Sequence, residues 1–168
     1  MSEINNAYLL KELQEQFSDA IISAEEPYGM LTIVLHKDKI LSCVQYLKDH
    51  NQLKMQFLTD LCGVHFPDQK GAELGVVYHL HSFVNNLRLR IKCFMPAENP
   101  QIDSIESIFG AANWQERETF DFYGIEFLGH PNLKRILNVD EMDYFPMRKE
   151  YPLEDQTRTD KDDTYFGR

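Results

Sequence analysis

The spacing of apolar and polar positions predicts helices and strands in the first 50 residues. Apolar side chains recur at helical intervals over Asn6–Phe17 and again over Asp38–His50. Between them, Asp19–Glu25 and Met30–Leu35 are short and rich in residues that favour strands. This part of the chain is therefore predicted to run helix, strand, strand, helix.

Three further strands are predicted between residues 57 and 94. Phe57–Phe66 is mainly apolar, and Gly63 within it indicates a bulge or a bend. Glu73–Phe83 and Leu87–Phe94 alternate with a period of two and are joined through Asn85-Asn86, residues that tolerate a positive φ. The last two strands are therefore predicted to form an antiparallel hairpin.

Two short helices are predicted next. Asp103 or Ser104 can cap a helix that ends at Phe109. Asn113 can cap the following helix, with Glu116 three residues later in the capping-box arrangement.

Gly124 is predicted to end that helix in the left-handed conformation. From about residue 130 the periodicity is lost, and Pro131, Pro146 and Pro152 recur among charged residues. We therefore predict a globular domain over 1–129 and an extended C-terminal arm over 130–168. The order α-β-β-α-β-β-β-α predicts an α+β fold, a mainly antiparallel sheet with helices packed on one face.

Charge and cysteine content narrow the possible functions. The chain has 17 basic and 27 acidic residues, a formal charge of −10, which disfavours nucleic acid and anionic lipid as partners. Cys43, Cys62 and Cys93 are widely spaced and form no C-x-x-C pair, so buried thiols are expected rather than an iron–sulfur or zinc site.

Membrane insertion and secretion are not expected from the sequence. No apolar run reaches the roughly 18 residues that a membrane span needs. The start, M-S-E-I-N-N, lacks the basic and apolar regions of a secretory signal, so a cytoplasmic location is expected.

Carboxylates on the helix after Asn113 are the first candidates for acid–base chemistry. Glu118 and Asp121 are one turn apart, and His130 in the following turn could titrate near neutral pH. Arg117 precedes Asp121 by four residues, the spacing of an intrahelical ion pair. An enzyme using Glu118, Asp121 and His130 therefore competes with pairing, capping or docking roles.

Trp114 is a candidate anchor for another protein. It falls almost opposite Phe120 and Tyr123 on the helical wheel, so one helix cannot bury all three against its own sheet. Either a partner covers Trp114, as at an interface hot spot, or the C-terminal arm folds back over it.

A basic stripe is predicted on the hairpin strands. Arg88, Arg90 and Lys92 alternate with apolar residues, and His79 and His81 point to one side of the preceding strand. Without a third ligand beside the histidines, a metal site is disfavoured. The stripe is either a solvated sheet face or a surface for an acidic partner.

The order of residues from Asn113 to Leu137, N-W-Q-E-R-E-T-F-D-F-Y-G-I-E-F-L-G-H-P-N-L-K-R-I-L, resembles a known family. So do Val77-Tyr78-His79-Leu80 and Phe145-Pro146-Met147-Arg148-Lys149. The similarity covers roughly residues 55–152. The family is the 30-kDa subunit, also called the C subunit, of the proton-pumping NADH-quinone oxidoreductase known as respiratory complex I.

The resemblance implies a non-catalytic structural subunit of the peripheral arm, on the cytoplasmic side of the inner membrane. It implies no cofactor, catalytic residue or metal ligand in this chain, with FMN, iron–sulfur clusters and quinone held by other subunits. The implied partners are subunits D and B. Related subunits occur in membrane-bound hydrogenases and in F420H2- or ferredoxin-dependent quinone reductases. Residues that match the family pattern, or flank it, are the interface candidates: Trp114, Arg117, Glu118, Asp121, Tyr123, His130, Pro131, Arg135 and Arg148.

Overall fold

A computed structural model describes residues 4–151 of the 168-residue chain. Its helices and strands follow the predicted order through the fifth strand. The helices are α1 (Asn6–Phe17), α2 (Ile40–Asp49) and α3 (Ala112–Tyr123). The strands are β1 (Ile21–Glu25), β2 (Leu31–Leu35), β3 (Phe57–His65), β4 (Leu74–Ser82), β5 (Leu87–Met95), β6 (Gln101–Asp103) and β7 (Glu126–Leu128).

Five strands form one sheet in the order β1-β2-β5-β4-β3. Every neighbouring pair is antiparallel except β2 and β5, which are parallel. The β4–β5 hairpin closes through Asn86, which has a φ of 49°. The predicted α+β class with a mainly antiparallel sheet is therefore confirmed.

The two faces of the sheet differ because side chains alternate along each strand. In β5, Leu89, Ile91 and Cys93 are buried in a core that also contains Leu13 of α1 and Val44 of α2. The residues between them, the predicted basic stripe, point to the opposite face. That face is the more polar side of the sheet.

Helix α3 lies close against β3 at Gly63. A Cβ atom on Gly63 would lie 2.9 Å from Cε2 of Tyr123 and 3.0 Å from Cγ2 of Thr119. Gly63 is thus needed for close approach, whereas the irregularity in β3 lies between Leu58 and Asp60. This packing sets the position of α3, on which the candidate site is built.

The short helix predicted to end at Phe109 does not form. Instead β6 pairs in parallel with β7 in a separate two-stranded sheet, and turns follow as far as Gly110. The N–H of Ser104 donates to the carbonyl oxygen of Leu128 at 2.9 Å, which ties this segment to β7. Only a single turn follows, in which the N–H of Phe109 donates to the carbonyl oxygen of Ile105 at 2.9 Å. Short segments of this kind depend on tertiary contacts more than on local propensity.

The expectation of three buried thiols is wrong for one of them. Cys43 and Cys93 are buried, but Cys62 is exposed. Cys62 of β3 pairs with Val77 of β4, and its side chain points away from the face that the helices cover. Within residues 4–151, no helix combines the length and the apolar character needed to cross a membrane.

Candidate functional site

The described part of the arm, residues 130–151, is held against α3 by arginine side chains that bind main-chain carbonyls. Arg117 donates from Nε to the carbonyl oxygen of Lys134 at 3.1 Å and from Nη2 to that of Arg135 at 3.0 Å. Arg148 donates from Nε to the carbonyl oxygen of Tyr123 at 2.8 Å. These bonds use a guanidinium's several fixed donors to position the arm's backbone.

A buried ion pair between Asp121 and Arg135 is the main connection between α3 and the arm. Nη1 of Arg135 lies 2.7 Å from Oδ1 of Asp121, and the two side chains are 10% and 0% exposed. The same carboxylate accepts the backbone N–H groups of Ile136, Leu137 and Asn138 at 3.1, 2.8 and 2.9 Å. One carboxylate therefore fixes a turn of the arm as well as its arginine.

This environment determines the charge state of Asp121. Burial alone would raise its pKa, but the N–H groups of Asn138 and Leu137, with Arg135, hold the pKa well below its ordinary range. The predicted intrahelical pair between Arg117 and Asp121 is wrong. Asp121 is turned toward the arm, where three N–H groups and Arg135 converge on it, whereas Arg117 binds carbonyl oxygens.

Phe145 fills the space beneath the end of α3. The guanidinium carbons of Arg135 and Arg148 lie 5.2 and 4.9 Å from its ring centroid, and Phe120 packs edge-on at 6.2 Å. Gly124 ends α3 with a φ of 71°, as the sequence predicted. Because Gly124 has no Cβ, the Phe145 ring can approach the backbone at this point.

Glu116 does not cap α3. The helix begins two residues earlier than expected, Ala111 precedes it without a side-chain cap, and Asn113 lies inside the first turn. The fully buried Glu116 carboxylate instead accepts the Ser104 hydroxyl at 2.6 Å and the N–H of Ile105 at 2.8 Å. The predicted capping box is therefore wrong, because the carboxylate serves a distant turn rather than its own helix.

Replacing Glu116 with glutamine is expected to reduce the pH dependence of stability. Burial raises the pKa of Glu116 to about 7, and the hydrogen bonds from Ser104 and Ile105 offset only part of that effect. Between about pH 5 and pH 7 the folded chain therefore binds more protons at this residue than the unfolded chain, so stability falls as pH rises. The expected loss across this window is on the order of 1–3 kcal/mol.

Urea unfolding of both proteins at a series of pH values measures this difference. Glu116→Gln should show a flatter profile between pH 5 and pH 7. Glu118→Gln is the control, because the side chain of Glu118 is exposed on the same helix. An unchanged slope in Glu116→Gln would contradict the assignment.

His130 links the turn after β7 to the start of α3. Its Nδ1 accepts the N–H of Asn132 at 3.0 Å, which leaves the proton on Nε2, 3.1 Å from the carbonyl oxygen of Asn113. Both ring nitrogens are thus used within the chain. The ring therefore joins the turn at Asn132 to the start of α3.

The three groups of the acid–base alternative do not converge. His130 is bound at Asn113 and Asp121 lies eight residues further along α3, about 12 Å at 1.5 Å per residue. Asp121 is buried and fully bonded, whereas Glu118 is exposed beside a cavity of about 260 Å³ that Asp60 and Cys62 also line. Neither His130 nor Asp121 lines the cavity beside Glu118, so the three side chains do not meet there.

The histidines of β4 contact neighbouring residues of the β4–β5 hairpin. Nε of Arg90 donates to Nε2 of His79 at 2.8 Å, and burial together with Arg90 lowers the pKa of His79. His81 packs against Phe83 with a centroid distance of 4.6 Å. Within residues 4–151, His, Cys, Asp and Glu side chains form no group of three or more that could hold a metal.

Exposed apolar side chains remain on α3 and on the arm. Trp114 is 61% exposed and lies under the guanidinium of Arg117, whose carbon is 5.0 Å from the ring centroid. Leu137 and Val139 on the arm are 65% and 63% exposed. We call Trp114, Leu137 and Val139 the α3–arm surface.

The other predicted interface residues take different positions. Glu118 and Pro131 are exposed, and Tyr123 is half-buried against Gly63. Sequence reasoning missed Leu137 and Val139. The sequence I-L-N-V over 136–139 could have indicated them, because Leu137 and Val139 are apolar residues in a segment that is otherwise too polar to form its own core.

Comparison with known proteins identifies the same family as the sequence motifs. The family model described as respiratory-chain NADH dehydrogenase, 30 Kd subunit, matches residues 33–157. The C subunit of NADH-quinone oxidoreductase from Citrifermentans bemidjiense is 38% identical over all of this chain and 99% of its own length. The C subunit from a Nocardioides species is 42% identical over 74% of this chain, which spans only half the length of that relative.

Two solved structures share the fold. The trypsin-resistant fragment of Nqo5 superposes with a TM-score of 0.64 at 28% identity, covering 74% of this chain and 98% of the fragment. A chain of the membrane-bound sulfane sulfur reductase, an archaeal respiratory membrane complex, superposes with a TM-score of 0.73 at 21% identity. It covers 88% of this chain and 85% of that one, and at this identity it shows the fold alone.

The family model spans well over half of the chain, and the full-length relative agrees with it. The chain therefore belongs to the 30-kDa subunit family of the respiratory-chain NADH dehydrogenase, complex I.

Proposed function

We propose that the chain is a non-catalytic structural subunit of the peripheral arm of NADH:quinone oxidoreductase. In this role it supports the subunits that carry out electron transfer from NADH to quinone. FMN, iron–sulfur clusters and quinone are then held by other subunits, and the enzyme activity belongs to the complex. Its position is peripheral, on the cytoplasmic side of the membrane.

The observation that carries the proposal is which groups the charged side chains around Arg117 and Asp121 bind. An active site aims its polar groups at a substrate, whereas here Arg117, Asp121, Arg135 and Arg148 satisfy groups of the chain itself. Their combined effect is to hold residues 130–151 of the arm in one conformation on α3. A rigid support of this kind maintains the geometry of neighbouring sites without reacting.

The α3–arm surface is the proposed docking site for subunits D and B. Exposed apolar side chains with an arginine stacked on an aromatic ring are typical of interface hot spots. The described part of the arm, residues 130–151, is held by the chain's own hydrogen bonds, so docking costs less conformational entropy than binding of a free segment would. Arg117, Arg135 and Arg148, which are among the interface candidates, use their donors within the chain itself.

The alternative to complex I is a related membrane-bound complex, because the archaeal sulfane sulfur reductase chain shares the fold. Affinity purification of the tagged chain from detergent-solubilised membranes distinguishes the two. A complex I subunit should co-purify with a nucleotide- and flavin-binding subunit as well as with D and B. Recovery of a hydrogenase- or F420-type set of subunits would favour the alternative.

Trp114→Ala is expected to lower the amount of assembled complex at least tenfold, the effect of losing about 2 kcal/mol at a hot spot. Because Trp114 is 61% exposed in the chain alone, the thermal midpoint of the isolated chain should change little. Native mass spectrometry of solubilised complexes measures the assembled fraction.

Ile22→Ala is the matched control, since Ile22 is 59% exposed on β1, away from α3. It should assemble as the unchanged chain does. Normal assembly of Trp114→Ala would contradict the proposal that the α3–arm surface is a docking site.

A further inference from the structure

Among residues 4–151, the most exposed of the large apolar side chains lie at the far end of the sheet from the arm. Tyr28 is fully exposed, and Val84 and Phe83 are 70% and 66% exposed. The arm instead reaches the other end of β3, where the N–H of Lys149 donates to Nδ1 of His65 at 2.9 Å. We call Tyr28, Phe83, Val84 and Arg88 the hairpin-end surface.

Tyr28 lies in the tight turn before β2. Tyr28 has a φ of 55°, a left-handed conformation that is unfavourable for an aromatic residue, and Gly29 follows with a φ of 75°. The side-chain amide of Asn6 holds this turn by donating to Oε1 of Glu26 at 2.8 Å and to the carbonyl oxygen of Gly29 at 3.1 Å. A strained residue whose ring gains no burial within its own chain is a candidate for a functional contact.

The neighbouring hairpin is held in place in a similar way. Nδ2 of Asn85 donates to the carbonyl oxygens of Gln52 and Leu53 at 2.7 and 3.0 Å. The hairpin therefore presents Phe83 and Val84 from a fixed backbone. Fixed aromatic and aliphatic anchors bind at a lower entropic cost than mobile ones.

A cavity of about 440 Å³ lies between the Tyr28 turn and the hairpin. Its polar lining consists of asparagines from both sides together with Arg88, the one charged residue among the residues that line it. Arg88 is exposed and forms no salt bridge within residues 4–151. In a chain of charge −10, an unpaired arginine beside amide groups favours a ligand that carries a carboxylate.

We propose that the hairpin-end surface binds an acidic segment of a neighbouring subunit, with a carboxylate at Arg88 and apolar side chains against Tyr28 and Phe83. The proposal rests on the proposed role as a subunit of the complex, but it uses a different surface from the α3–arm surface. The chain would then contact partners at both ends of its sheet, as a spacer between them.

Photo-crosslinking in the assembled complex tests this. A benzophenone amino acid in place of Tyr28 should cross-link to a peptide of another subunit that contains Asp or Glu near the attachment point. The same reagent in place of Trp114 reports on the α3–arm surface, and in place of Glu15, on the outer side of α1, it reports background. Peptide mass spectrometry identifies each product.

Arg88→Glu should lower the cross-link yield from position 28 about tenfold, whereas Arg88→Lys, which keeps the charge, should stay within about twofold. The inference is overturned if position 114 cross-links to a partner and position 28 does not, or if Arg88→Glu matches Arg88→Lys. A product with a peptide lacking acidic residues, or with a second copy of this chain, also overturns it. Absence of products from both positions would count against the α3–arm surface as well.

Discussion

Replacing Arg135 with alanine is expected to destabilise the chain by about 3 kcal/mol, the usual cost of removing one partner of a buried ion pair. The substitution leaves the fully buried Asp121 carboxylate without its cation. It also removes the donor to the carbonyl oxygens of Met142 and Tyr144, at 2.7 and 3.1 Å. The thermal midpoint should fall by roughly 6–12 °C, the range that this free energy implies for a chain of this size.

Differential scanning calorimetry of the isolated chain measures the midpoint, and limited proteolysis reports the arm directly. Cleavage within residues 130–151 should become much faster in Arg135→Ala. Lys134→Ala is the control, because the exposed side chain of Lys134 is adjacent in sequence while its carbonyl, which Arg117 binds, is retained. Equal midpoints for the two variants would show that the ion pair does not hold the arm.

Gly124→Ala is the second substitution with a large expected effect, a loss of about 3 kcal/mol in the free energy of unfolding. The loss has two sources. Gly124 has a φ of 71°, and this conformation alone costs an alanine about 1 kcal/mol. The new Cβ would also lie 2.6 Å from Cδ2 and Cζ of Phe145, so the ring must leave its place between Arg135 and Arg148. Steric overlap of this size adds typically about 1–3 kcal/mol.

Gly129→Ala separates the two sources. Gly129 has a similar φ of 82°, but a Cβ there meets nothing within 4 Å. Urea unfolding should therefore show a loss of about 1 kcal/mol for Gly129→Ala, and clearly more for Gly124→Ala. In the Phe145→Ala background the extra cost of Gly124→Ala should disappear, and its persistence would show that Phe145 does not pack on this glycine.

Most of the fold could be predicted because local patterns and tertiary packing agree over residues 6–95. The hairpin is an example, since the alternation of Leu87–Cys93 and the left-handed tolerance of Asn86 both favour the same strand pairing. Gly124 was predictable for the same reason, because a helix end of this kind needs a left-handed residue.

The predictions from the sequence were wrong where a side chain forms hydrogen bonds with residues that are distant in the sequence. Glu116 has the spacing of a capping box and Arg117 has the spacing of an intrahelical pair, yet each binds a segment 11 or more residues away. Local spacing cannot report such partners, because their position depends on β6, β7 and the arm. The sequence predicts Trp114 as a candidate anchor from its place on the helical wheel, whereas Leu137 and Val139 could be placed only once the backbone of the arm was known.

Quinone reductase turnover per assembled complex is the most direct test of a supporting role. Membranes carrying Trp114→Ala should contain less complex, while each complex that does assemble should turn over at the rate of the unchanged enzyme. Native mass spectrometry gives the amount assembled, and NADH oxidation by the same sample gives the turnover. Normal assembly with abolished turnover would contradict the account, because it would place chemistry rather than support at α3.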